Sequence, residues 1–335
     1  MIKIFLLLVV SIMLFADYGC EFENKNYLEI CQRAIKSGVS GEYVNEFLTS
    51  PSKIDKFDEA SLNAMQPALI PLHKKNEKKA NNTLVEKYLP EIVAHLKEYA
   101  EVYDYAESRY GVNREIVASI LMKETKLGKI KLTHDAFTVF NTMVVKSKPE
   151  TDRDKWLINM GKSNMVSIIK HCFDRGIGVE ECTLPSSYAG AIGIPQFMPN
   201  NFAYAEGYKK EIGDLTNMSD AIVSTSKYLY KKGSFTQLID WDNMPNIAEL
   251  ESKWYEFQEN NDNASFCYDK NPRSNEPMDC YACDKSELNS VRECSKKIMR
   301  YNNSSNYAVG VIRLAYDAHK MLKSQDISPF ETKGF

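Results

Sequence analysis

The chain has 335 residues, a formal net charge of −3 and 26% charged residues. That length fits one large domain or two modest ones. A mildly acidic balance with no basic stripe gives no reason to expect a nucleic-acid partner. Lys3 precedes an apolar run from Ile4 to Phe15 that ends in Leu14-Phe15-Ala16, which reads as a secretory signal over residues 1–16. The run is short for a membrane span. Asp17-Tyr18-Gly19 is a poor lead-in for a lipid anchor on Cys20, so none is expected there. In an exported chain the eight cysteines read as disulfides. The expected pairs are Cys20 with Cys31, Cys172 with Cys182, and two bonds among Cys267, Cys280, Cys283 and Cys294. No histidine lies near that last cluster, so zinc is not expected at Cys280-Tyr281-Ala282-Cys283.

Residues 23–50 predict helices around Gly38, with Val44, Phe47 and Leu48 on one apolar face and Ser50-Pro51 as a stop. Lys74 to Lys79 is basic and polar without periodicity and reads as a solvated loop. From Leu84 to Arg109 the spacing of Leu89, Val93, Leu96, Tyr99, Ala100 and Tyr103 fits one long amphipathic helix, with Pro90 in its first turn. After Tyr110-Gly111, Asn113 is a good N-cap for a second helix that carries Glu115 in its first turn and stops by Gly128. Ile116, Val117, Ile120 and Leu121 line one face of it, and Glu124 falls on that face. Residues 153–173 predict another helix, broken by Gly176 and Gly178. Residues 218–232 predict one with Ala221, Ile222, Thr225, Tyr228 and Leu229 inward. Trp241 to Cys294, rich in Asn, Asp, Pro and Cys, reads as a stapled, loop-rich insert with short strands. Tyr307 to Met321 returns to helical spacing. The strong elements are all helical, so the fold class is mainly α.

Two clusters carry chemistry. A glutamate on the apolar face of a helix loses solvent, which raises its pKa and keeps it protonated near neutral pH. A protonated carboxyl is what a general acid needs to protonate a glycosidic oxygen. The plainer reading of Glu124 is a helix-end residue that reaches water or pairs with Lys123 or Lys126. The second cluster runs from Ser187 to Pro199 as Ser-Tyr-Ala-Gly-Ala-Ile-Gly-Ile-Pro-Gln-Phe-Met-Pro. Its small residues allow close backbone approach. Ser187 and Gln196 can then hydrogen-bond a sugar, with Tyr188 and Phe197 as aromatic walls. The plainer reading is a tightly packed loop in which Ser187 caps a helix.

Tyr110-Gly111-Val112, then Lys123-Glu124-Thr125, then Ala-Gly-Ala-x-Gly-x-x-Gln-Phe-Met-Pro together resemble the lytic transglycosylase B family. The likeness extends to the early Ser50-Pro51 stop and to Arg300-Tyr301-Asn302-Asn303-Ser304-Ser305-Asn306-Tyr307-Ala308. It implies a goose-lysozyme-like helical catalytic domain that cleaves peptidoglycan, with Glu124 as the catalytic residue. It also implies that Ser187 and Gln196 line the glycan site and that Tyr301 and Asn302 close it from the C-terminal side. The expected division is a signal (1–16), an N-terminal helical segment (17–83), the catalytic core (84–240), a cysteine-rich, loop-rich or α+β insert (241–299), and a segment completing the core (300–335). The expected location is the periplasm, and the expected partners are peptidoglycan strands, with other cell-wall enzymes as further candidates, for a monomer without cofactor.

The sequence departs from the family in two places. A calcium loop commonly follows the Gln-Phe-Met-Pro motif, but here Glu206 to Asp214 has too few oxygen ligands and two lysines intrude, so no metal is expected. The family's paired arginines, which hold the peptide stem, are matched only by position, by Lys146, Lys148 and Arg153. No second carboxylate belongs to a motif, although Asp135, Glu180, Glu181 and Glu206 are near in sequence. That absence favours a substrate-assisted reaction over water attack. A hydrolytic muramidase and a non-catalytic peptidoglycan binder remain as alternatives.

Overall fold

The computed structural model describes residues 19–66, 69–272 and 274–327; the secretory signal expected over 1–16 lies outside them. Backbone contacts divide the chain into two compact units: residues up to Phe57 with Phe140–Cys182, and Asp58–Val139 with Thr183 onward. This division follows contacts and cuts across the segments expected from composition.

The smaller unit begins with α1 (Lys25–Lys36) and α2 (Gly41–Thr49), capped by Asn24 and Ser40 side chains that accept from Asn26 N–H and Tyr43 N–H. Pro51 at the first helical position opens the one-turn α3 (Pro51–Ile54). These bear out the helices predicted around Gly38, and Val44, Phe47 and Leu48 are buried as expected. The long α9 (Asp152–Asp174) of this unit starts with a reciprocal capping box between Thr151 and Asp154 and packs on α1. Gly161 lets α9 pass close to residues 140–144, since a Cβ there would meet the Val144 side chain at 2.7 Å. The disulfides Cys20–Cys31 and Cys172–Cys182 are formed as predicted. Cys20 is thereby held within the fold.

In the larger unit, Asp58 caps α4 (Glu59–Ala64), and α5 runs from Ile70 to Glu98. Here the sequence reading fails three times. Lys74 to Lys79 is helical, because a polar run is as compatible with a solvated helix face as with a loop. Pro90 lies inside α5 and not in its first turn. The single helix expected over Leu84–Arg109 is broken at Tyr99 (φ −102°, ψ 25°), after which α6 spans Ala100–Tyr110. At the joint the rings of His95 and Tyr99 stack at 4.7 Å, and Tyr103 Oη lies 3.1 Å from His95 Nδ1.

α7 (Arg114–Thr125) follows a left-handed Gly111. Asn113 precedes it, but its side chain makes no cap; it donates to Ile239 O (3.0 Å) and accepts from Ile239 N–H (2.7 Å) instead. Nor is α7 amphipathic: every residue from Glu115 to Met122 is buried, which marks a central helix. α8 (Ala136–Lys146) begins in the larger unit after the short strand β1 (His134–Asp135). β1 pairs antiparallel with β2 (Pro185–Ser186). α10 (Met218–Gly233) is capped by Asn217 and packs on α6 and α7.

The region expected to be a loop-rich insert is more helical than its composition suggests. It holds α11 (Ile247–Glu259) and α12 (Asn289–Ile298), with a two-residue parallel pairing of β3 (Ala264–Ser265) with β4 (Asp279–Cys280). Trp254 and Phe266 are fully buried and share one hydrophobic core with α5, α7 and the last helix, α13 (Ser305–Ile327). α13 makes its most extensive contacts with α5 and α7.

The late cysteines correct a further expectation. Cys280 and Cys283 are bonded, but Cys267 and Cys294 are buried free thiols. Cys267 Sγ lies 3.4 Å from Met299 Sδ, and burial pushes the pKa of both thiols up to about 12. Two thiols should therefore resist alkylation in the native protein and both react on unfolding without reductant, as read by intact mass. Failure of both to react would place a bond between Cys267 and Cys294.

Candidate functional site

Glu124 occupies the last turn of α7 in the larger unit. Its side chain keeps partial accessibility but is surrounded by protein. The pairing with Lys123 or Lys126 allowed by the plainer reading does not occur. Lys123 Nζ donates to Asn81 Oδ1 and Lys126 Nζ to Tyr88 Oη (3.2 Å). The partner of Glu124 is Tyr307, whose hydroxyl donates to Oε1 at 2.6 Å. Burial pushes the Glu124 carboxyl up to about 7, against the pull of the Tyr307 hydroxyl and the Lys123 ammonium and with help from the Glu77 charge. A carboxyl poised near neutrality both gives and takes a proton at physiological pH.

Tyr307 is set by its neighbours. It lies in the first turn of α13, where its N–H is capped by Ser304 Oγ (3.2 Å). Its ring stacks on Tyr301 (6.5 Å, 10°) and carries the Lys123 ammonium 4.9 Å from its centroid. Sequence reasoning noticed the segment holding Tyr307 but gave the tyrosine no role. Its place in the first turn of a helix after an Asn-Ser-Ser run was the available signal.

The Ser187–Pro199 loop is pinned to the end of α7. Thr125 Oγ1 donates to Ile194 O (2.9 Å) and accepts from Gly128 N–H (3.0 Å). Ile194 N–H in turn donates to Leu215 O (2.8 Å). Gly193 has a left-handed φ of +72°, and a Cβ there would meet Leu215 atoms at 2.5 Å, so only glycine fits. Ile192 and Phe197 close the loop through reciprocal backbone bonds of 2.8 and 3.0 Å.

Within this loop, Gln196 adopts φ +53° and its amide donates to Gly193 O (2.8 Å). Ser187 Oγ accepts from Ala191 N–H (3.3 Å). Phe197 is not an aromatic wall: it is buried against Tyr228 (5.2 Å) and Tyr301 (6.2 Å). The Tyr301 hydroxyl donates to Pro195 O, which ties the C-terminal segment to the loop.

A cavity of about 700 Å³ opens beside these elements, and Tyr188, Asn302, Ser304 and Glu77 are in its wall. Tyr188 is 43% exposed. The structure thus joins Glu124, Tyr301 and the loop through hydrogen bonds and stacking, and places Tyr188 and Asn302 on the cavity. Glu124, Ser187, Gln196 and Tyr301 are not among its lining residues.

The other carboxylates of this unit named from the sequence are engaged elsewhere. Asp135 accepts from Thr138 and from Leu184 N–H. Glu206 accepts from Tyr110 Oη (2.6 Å) and pairs with Arg109 (3.3 Å) and Lys227 (3.1 Å).

Residues 23–316 match the transglycosylase SLT domain family. The chain belongs to that family. The transglycosylase also resembles solved structures at a level that shows the fold. Escherichia coli lytic transglycosylase Slt35 in complex with bulgecin A is 18% identical, with 90% of this chain and 95% of that chain covered and a TM-score of 0.56. Slt35 in complex with calcium is 17% identical over the same shares, with a TM-score of 0.55. Soluble lytic transglycosylase SltB1 from Pseudomonas aeruginosa is 17% identical, covering 88% and 99%, with a TM-score of 0.56. No curated protein sequence matches the chain. The fold is the mainly α, lysozyme-like fold that the sequence implied.

In the transglycosylase, the segment where the family commonly has its calcium loop is organised around Asp220. This carboxylate, 2% exposed, accepts from Tyr208 N–H (2.9 Å) and Asp214 N–H (2.8 Å) and pairs with Lys210 (2.8 Å). Lys210→Met should lower the melting temperature only modestly, because the lysine is half-exposed and its pair is screened by solvent, and calcium should not restore it. Restoration of the melting temperature by calcium would show a metal competing for Asp220.

Tyr307→Phe removes the donor that favours the charged form of Glu124, so its pKa rises further. The basic limb of the pH–rate profile should move to higher pH while the rate falls by about tenfold through lost orientation. An unmoved limb would mean that the Tyr307 bond does not act on the titrating acid.

Proposed function

We propose that the chain cuts the β-1,4 bond between N-acetylmuramic acid and N-acetylglucosamine in peptidoglycan, with Glu124 as acid and then base, leaving 1,6-anhydro-N-acetylmuramoyl ends. The observation that carries this reading is a single carboxyl, raised to about 7 by burial and steadied by Tyr307. In the first step Glu124 gives its proton to the leaving glycosidic oxygen as the C1–O bond breaks. The acetamido carbonyl oxygen of the same sugar bonds to C1. In the second step the C6 hydroxyl oxygen attacks C1 and the acetamide oxygen leaves. The hydroxyl proton passes to the Glu124 carboxylate, which restores the enzyme without consuming water.

Ser187, Tyr188, Gln196, Tyr301 and Asn302 are proposed to hold the glycan. For Tyr188 and Asn302 the support is their place on the cavity. Tyr301 earns its place by orienting Tyr307 and the loop. The proposed setting is the periplasm, as a monomer acting on glycan strands, with other cell-wall enzymes as further partners. No described helix is long and apolar enough to cross a membrane.

Glu124→Gln should lower glycan cleavage by about a hundred- to ten-thousand-fold while the fold and glycan affinity persist. Stability should also respond. The folded pKa lies above the unfolded one, so the native state is favoured at low pH and loses that advantage as pH rises from about 4.5 to about 7. At pH 8 the wild type therefore bears a cost of about 3 kcal/mol that Glu124→Gln lacks, and the variant should melt higher there. The products should carry anhydro ends without oxygen from labelled water. Labelled reducing ends would establish a hydrolase.

A further inference from the structure

Glu77 was hidden in the stretch that the sequence presented as a solvated basic loop. On α5 it is half-buried and lines the same cavity as Tyr188 and Asn302. Its carboxylate is oriented by Ser304, whose hydroxyl donates to Glu77 Oε2 at 2.6 Å. That hydroxyl also accepts the N–H of Tyr307 (3.2 Å), and the Tyr307 hydroxyl donates to Glu124 (2.6 Å). Two carboxylates, one in the cavity wall and one at the end of α7, are thus joined through the first turn of α13. The Glu77 charge acts on Glu124, Tyr307 and Lys123 alike.

We propose that Glu77 is the second carboxylate of the glycan site, accepting a hydrogen bond from the acetamido N–H of the sugar whose bond is cut. This rests on the reaction described under Proposed function. When the acetamido oxygen bonds to C1, positive charge spreads over the C–N unit and its N–H becomes a stronger donor. A fixed carboxylate at that N–H therefore binds the transition state better than the ground state. Glu77 neither gains nor loses a covalent bond; the proton exchanged in both steps belongs to Glu124. The arrangement answers the one-carboxylate puzzle without a water-activating base.

The charged and titratable groups facing Glu124 are Lys123 beside it on α7, Glu77 from α5, and Tyr301 and Tyr307 before and within α13. Glu251 of α11 acts on Lys123. Among these, Glu77 and Lys123 oppose each other at the acid. Removing the Glu77 charge should let the Glu124 pKa fall and move the basic limb of the kcat profile to lower pH.

The contact can be tested without turnover. In the Glu124→Gln background, glycan fragments with and without the N-acetyl group on the sugar at the cut bond are titrated by calorimetry. Glu77→Gln should weaken the acetylated fragment by about tenfold, the scale of one charged hydrogen bond, and leave the deacetylated fragment within about twofold. In the otherwise wild-type enzyme, Glu77→Gln should lower kcat by about tenfold to a hundredfold, more than it raises KM, with the limb displaced downward. Glu77→Asp, which keeps the charge, should leave the limb in place. Equal weakening of both fragments, or an unchanged kcat and limb in Glu77→Gln of wild-type melting temperature, overturns the proposal. If the wild type cuts no glycan yet Glu77 still discriminates the fragments, the reaction reading fails and the contact stands.

Discussion

A carboxyl group enclosed by helices must be neutral or well hydrogen-bonded, because an isolated charge there loses far more hydration than folding can supply. Glu124 meets both conditions, with a raised pKa and a tyrosine hydroxyl on Oε1. Much of the larger unit can be understood as what is needed to keep that one bond in place. α7 is buried on every face through Met122 and cannot rotate. α13 must bring Tyr307 to the end of α7. Gly310 permits this, since a Cβ there would meet Asn81 of α5 at 2.4 Å.

Behind the acid lies a polar chain through the core. Lys123 donates to Asn81, and the Asn81 amide donates to Tyr255 Oη (2.8 Å) and to Asn306 O (2.9 Å). Tyr255 donates to Glu251 (3.1 Å), which pairs with Arg313 (3.2 Å), and Arg313 pairs with Asp317 (2.6 Å). A network of this kind is stabilising only when every member is satisfied. It draws on α5, α7, α11 and α13 at once. The segment that reads as an appended insert therefore supplies Tyr255 and Glu251, charges and donors that the site relies on.

What the sequence revealed and what it concealed divide along a physical line. Helices with local signals were legible: the break at Gly38, the stop at Ser50-Pro51 and the periodicity of residues 153–173 and 218–232 need no tertiary knowledge. Glu124 and the Ser187–Pro199 loop were visible because their residue types contradict a purely structural role. The rest depended on long-range contact. A basic run at Lys74–Lys79 has no intrinsic preference that separates loop from solvated helix, and α5 is settled by its packing on α13 and α7. Asn113 has the right chemistry for a cap but finds Ile239 across the fold. Phe197 looked like a sugar platform because aromatic residues serve both purposes, and only burial against Tyr228 decides between them. Cys267 and Cys294 were assigned to disulfides by parity, which says nothing about whether two thiols meet.

Lys210 on Asp220 carries a further consequence. A metal ion in such a place is an independent particle, so the fold it supports weakens whenever free ion falls below the dissociation constant. An ammonium on the same polypeptide has an effective concentration fixed by its tether and independent of the medium. Only deprotonation, at a pH raised further by the Asp220 side chain, removes it. The tethered ammonium thus faces Asp220 whatever the concentration of free divalent ion, and only screening by salt weakens the pair.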